Sequence, residues 1–133
     1  MIVIAHVATG AVAGRVLGSR VGALASGPLL HLVGDRIPHT DIPSRPFEIG
    51  TGSLGVVALA GRLGLIHPAT LGAVAACLPD VEHLFALPRP GGRKLFPSHR
   101  FHGWHRAGGL PAWLQLVGAG VILGAILAAR PKP

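Results

Sequence analysis

The longest uninterrupted pattern in the chain is a run of 23 uncharged residues from Ala107 to Ala129. At about 1.5 Å per helical residue it is long enough to cross the roughly 30 Å hydrocarbon layer of a bilayer, so it predicts a transmembrane helix. His105 and Arg106 stand before the run and Arg130 and Lys132 after it, as charges should at two lipid–water boundaries, and Trp113 fits an interfacial anchor. Shorter apolar stretches come earlier, punctuated by Arg, Pro and Gly. The whole pattern predicts helices over about 2–18, 21–35, 50–65, 68–83 and 107–129.

Within these stretches Gly10, Gly14, Gly18 and Gly22 recur every four positions, which would lay a smooth strip along one helix face for close backbone approach. The same faces could join copies of the chain into a homo-oligomer. A faint repeat at an offset of 45 residues relates the segment ending at Asp35 to the one ending at Asp80, and each Asp is followed shortly by a histidine.

Composition sharpens this picture. At 133 residues the chain is the size of one domain, spanning 1–133. Only 13% of its residues are charged, against roughly 25% in soluble domains. The expected fold is all-α: a small, membrane-embedded, up-and-down bundle of about five helices, with membrane lipids as partners. The net charge of +7 does not indicate nucleic acid, because the basic residues are scattered singly and aromatic residues are few. The lone Cys77 sits in an apolar stretch, where a thiol behaves as a small hydrophobe. Residues Met1 to Gly14 lack the leading positive charge of a signal peptide, so they read as a retained first helix.

An up-and-down order makes a sharp prediction about where the polar residues go. The start of the first helix (His6), the close of the second (His31, Asp35, His39), the close of the fourth (Asp80, His83) and the loop before the fifth (His99, His102, His105) all fall at one end. Only His67, of eight histidines, falls at the other. His31 and Asp35, four apart, share a helix face, as do Asp80 and His83 at a spacing of three. Imidazole and carboxylate together suit zinc, with manganese or iron as possible occupants. The expected metal ligands are therefore drawn from His6, His31, Asp35, His39, Asp80, His83, His99, His102 and His105. Glu82 is the candidate general base, and Asp41 and Glu48 read as loop acids. Arg100 and Arg106 beside a metal would suit a phosphate-bearing substrate.

In these residues the sequence resembles the membrane-bound metal-dependent hydrolase family, the LexA-regulated inner-membrane type, which is distantly similar to zinc-dependent phospholipase C. The matching pieces are His6, Leu78-Pro-Asp80-Val-Glu-His83, His99-Arg-Phe-His102-Gly-Trp-His105, and His31-Leu-Val-Gly-Asp35. In that family the His-x-x-x-Asp element follows the Pro-Asp element, whereas here it precedes it. The resemblance implies an integral protein of a bacterial inner or plasma membrane in which a metal-activated water attacks an ester of a membrane-proximal substrate. Two alternatives stand beside this zinc-dependent hydrolase: a non-catalytic membrane protein tied together by metal, and a metal-ion transport or channel subunit. Seven Lys and Arg accompany the histidine-bearing end against five at the other, which orients the site towards the cytoplasm.

Overall fold

The computed structural model describes residues 1–85 and 87–129, and within them it is all-helical. The long helices are α1 (Val3–Leu17), α2 (Arg20–Arg36), α3 (Arg45–Leu63), α4 (Pro68–Cys77) and α7 (Ala112–Ala128). Two single-turn helices, α5 (Val81–Leu84) and α6 (Pro97–Arg100), lie in the connection between α4 and α7. Among the described residues there is no strand, only isolated bridges from His39 to Ala107 and to Leu110.

Local chemistry sets most of the boundaries. Gly18 adopts φ 62° and closes α1 by donating its N–H to the Gly14 carbonyl, a conformation that costs glycine little. Ser19 then caps α2, its side chain accepting from the Gly22 amide. The expected four-glycine strip is therefore cut in half by this turn, and only Gly10 and Gly14 share a helix. Helix α3 starts five residues before the expected position 50, because Pro46 suits a first turn and Glu48 lies where an acid is favoured. The expected 68–83 helix breaks at Pro79, which has no N–H to donate, into α4, a 3₁₀ turn over Leu78–Asp80, and α5.

Helix α1 is the centre of the bundle and packs against α2, α3, α4 and α7. Its approach to α4 is backbone to backbone: a Cβ added at Gly10 would overlap the Gly72 carbonyl, and one at Gly72 would overlap that of Gly10. The buried core around this contact is made largely of small residues, with Val7, Ala8, Ala11, Ala69 and Ala73 joined by Leu59, Leu123 and Ile126.

The 23-residue uncharged run is only partly helical. Gly108 and Gly109 take positive φ and Pro111 caps the helix, leaving a 17-residue α7 of about 26 Å. Among the described residues no helix is long and apolar enough to cross a membrane. Arg130 and Lys132, the expected boundary charges, lie outside the described residues. Large apolar side chains nevertheless face outward along several helices, among them Val16, Val21, Leu29, Leu54, Val57, Val117 and Val121, each more than half exposed.

Candidate metal centre

The polar end of the bundle is assembled from four directions. Helix α1 brings His6 and α2 brings His31 and Asp35, all at 0–1% exposure. The α4–α5 corner brings Asp80, and the strap from α6 to α7 brings Ser98, His99 and His105. His6 stacks on His31 with ring centroids 3.9 Å apart. Gly34 leaves room for this, since a Cβ there would press on the His6 ring.

The strap is pinned to the end of α2. Trp104 Nε1 donates to the Leu32 carbonyl at 3.0 Å and Arg36 donates to the Gly103 carbonyl at 3.1 Å. Backbone bonds from His39 to the Arg106 carbonyl, Thr40 to Leu110, and Leu110 to Pro38 finish the staple. This places His39, just beyond α2, against His105.

Three imidazoles are held from behind. His31 Nδ1 donates to the Ala76 carbonyl at 2.8 Å, His39 Nδ1 to the Ile37 carbonyl at 2.6 Å, and His99 Nδ1 to Glu82 Oε1 at 2.6 Å. A carbonyl can only accept, so Nδ1 of His31 and of His39 carries a proton, and in the neutral ring Nε2 then has a lone pair facing inward. What Nε2 meets there is other acceptors. His31 Nε2 lies 3.1 Å from Asp35 Oδ2 and 3.2 Å from His99 Nε2, and His99 Nε2 lies 3.5 Å from the same oxygen. Asp80 Oδ1 is 3.7 Å from both nitrogens. His39 Nε2 lies 3.1 Å from both His105 Nε2 and Asp41 Oδ1. Facing acceptors repel unless a proton or a metal cation lies between them.

The spacing fits a metal. Tetrahedral zinc with bonds of about 2.0–2.1 Å needs its ligand atoms about 3.3–3.4 Å apart, close to the triangle made by His31, His99 and Asp35. Among the described residues four groups have ligand atoms within 4.8 Å of one another: His6, His31, Asp80; His31, Asp35, His99; Asp35, His39, His105; and Asp80, His83, His99. Among the described residues His6 Nδ1 and Asp80 Oδ2 are buried without a hydrogen-bond partner, so polar atoms able to bind a cation are left over. These buried groups can hold a metal ion.

Charge in the cluster behaves accordingly. Burial disfavours the His99 cation, but hydrogen bonds to Asp35 and Glu82 outweigh it and raise its pKa. Burial pushes the Asp80 carboxyl up to about 6. The hydrogen bond to His39 holds Asp41 low. The Met1 amino group also reaches in, 2.8 Å from Asp35 Oδ1 and 2.5 Å from His39 Nε2.

Eight of the nine expected ligands appear in these groups. His102 does not: α6 ends at Arg100, so the histidines spaced by three do not share a helix face, and His102 lines the adjoining cavity instead. Glu82, expected as a general base, is buried behind His99, and its second oxygen accepts the Leu95 amide at 2.7 Å. It is placed to orient an imidazole. His67, at the far end, caps α4.

Sequence reasoning missed two residues. Ser98 Oγ donates to Asp35 Oδ2 at 2.6 Å, and nothing in the local pattern pointed to it. Gln115 accepts from the Ile2 amide and donates to the Thr40 and Leu110 carbonyls, tying α7 to the site. Its signal was there to read, as a lone amide inside the apolar stretch 112–129.

A cavity of about 1120 Å³ opens beside the cluster. Asp35, Asp80, His99 and His105 form one part of its wall, Arg45, Lys94 and Arg100 stand nearby, and Val3, Ile49, Val56 and Leu78 line an apolar side. Arg106, the other expected phosphate contact, is not among the lining residues; its carbonyl serves the strap. No family model, no curated protein and no solved structure matches the chain.

Proposed function

We propose that this protein is a metal-dependent hydrolase, with zinc as the first choice of metal, acting on a phosphoester or related ester of a membrane-proximal substrate. The observation that carries the reading is the convergence of His31 Nε2, His99 Nε2 and Asp35 Oδ2 at tetrahedral spacing, with Asp35 and His99 lining a large cavity. Bound there, zinc would supply Lewis acidity and an activated water. The chain's own residues supply the rest. Arg45, Lys94 and Arg100 attract an anionic headgroup, the apolar wall accepts a hydrocarbon portion, and Glu82 keeps the His99 ring aimed. The local likeness to membrane-bound metal-dependent hydrolases points the same way.

A membrane seat is part of this proposal. Its support is the row of large apolar side chains that face outward from α1, α2, α3 and α7. The excess of basic residues at the site end favours a cytoplasmic orientation. The second reading, a protein in which metal only ties the helix ends, draws on the tight bonding of Asp35 to Ser98 and His6.

Removing metal with EDTA and restoring it with zinc, while following thermal unfolding and hydrolysis of fluorogenic phosphomono- and phosphodiesters in phospholipid vesicles, separates the readings. Metal-dependent stability with metal-dependent turnover supports the hydrolase. Stability without turnover on any ester favours the second reading, and no response in either measurement overturns both.

A further inference from the structure

The proposed hydrolase needs one cation, but the carboxylate at its centre faces two groups of ligands with two different oxygens. Asp35 Oδ2 looks towards His31 Nε2 and His99 Nε2. Asp35 Oδ1 looks towards His105 Nε2 at 3.8 Å and belongs with His39 and His105 to a separate compact group. Apart from Asp35 the two groups share no residue.

Each group poses its own electrostatic problem. The His31 and His99 nitrogens face one another at 3.2 Å, and the His39 and His105 nitrogens at 3.1 Å. An ion bonded to nitrogen at about 2.0–2.1 Å resolves the first confrontation only, and at the second the Met1 ammonium occupies the place a second cation would take. Each position also has a further acid beside it, Asp80 at the first and Asp41 at the second. With Asp35 and Glu82 that makes four carboxylates, enough to balance two divalent charges. The two remaining ligand groups, which use His6 or His83, both draw on the His31, His99 and Asp80 neighbourhood, so they are variants of the first position.

We propose that the centre binds a pair of divalent ions bridged by Asp35, one held by His31, His99 and Asp35 Oδ2, the other by His39, His105 and Asp35 Oδ1. The Met1 amino group stands in the second position, and an ion there would displace it. The inference rests on the metal-centre reading and sharpens its substrate class, because a two-ion centre steadies both the attacking and the leaving oxygen of a phosphoester.

The test is metal stoichiometry on the purified chain, by elemental analysis and by Zn²⁺ titration against a chromophoric chelator, with Mn²⁺ electron paramagnetic resonance as a second readout. The expected result is two ions per chain and an exchange-coupled Mn²⁺ signal. His105→Ala changes a partly exposed residue and should lose one ion and the coupling while keeping the other ion. His99→Ala should lose the complementary ion. One tight ion in the unaltered chain, or two in His105→Ala, overturns the paired centre and leaves a single-ion hydrolase intact. No tight ion overturns both.

Discussion

The α1–α4 contact and the polar end of the bundle are built on opposite principles. At the first, Gly10 and Gly72 bring two backbones together because neither has a side chain, and the surrounding alanines bury area without needing partners. At the second, the side chains are large, polar and buried, and they are held by hydrogen bonds from behind while their free lone pairs converge. The first needs no partner groups, whereas the second buries polar groups whose cost must be offset by hydrogen bonds or, on the proposed reading, by a bound cation. The first contact depends on side chains being absent, and the second on how each polar side chain is partnered.

The largest effect should come from giving the α1–α4 contact a side chain. Gly72→Val forces a Cβ into the Gly10 carbonyl and should cost roughly 3 kcal/mol, near the top of the overpacking range, read as a large fall in thermal midpoint whether or not metal is present. A metal-free and a metal-loaded melt that are both unchanged would contradict the close approach.

Asp35→Ala strikes the second region. It removes the acceptor shared by His6, His31, Ser98 and His99 and should lower zinc affinity by more than the roughly 10–100-fold that loss of an outer partner costs. Competition against a chelator of known affinity checks it. Glu82→Gln is gentler. The His99 ring loses its carboxylate partner but keeps its place, so affinity should fall roughly 10-fold, at the low end of that outer-partner range, with the helical content unchanged by circular dichroism.

The smallest effect should come from the far end. His67 caps α4 by accepting the Ala69 amide, so His67→Ala should cost about 1 kcal/mol of stability and leave metal affinity untouched. A change in metal affinity from this substitution would mean that the two ends of the bundle are coupled.

Much of the architecture was legible beforehand because it depends on periodicity and punctuation. The helical class, the positions of α1 and α2, the start of α4, and the delivery of His6, His31, Asp35 and Asp80 to one end all follow from apolar spacing and short connections. The helix boundaries near prolines and glycines were less legible. Position 107 looked like a helix start because hydropathy does not register that Gly108 and Gly109 take positive φ. Likewise, the three-residue spacing of His99, His102 and His105 carries meaning only on a helix, and the chain there is mostly turn.

By itself the sequence determined which kinds of atom would meet, since the ordering of helices brings imidazoles and carboxylates to a common end whatever their rotamers. What each one does depends on its neighbours in space. Whether a carboxylate binds an ion or steadies a ring depends on which atom lies 3 Å behind it, and that neighbour comes from another part of the chain. Glu82 stands behind His99 and Ser98 against Asp35 for this reason, because a hydrogen bond is set by position in space and not by separation along the backbone.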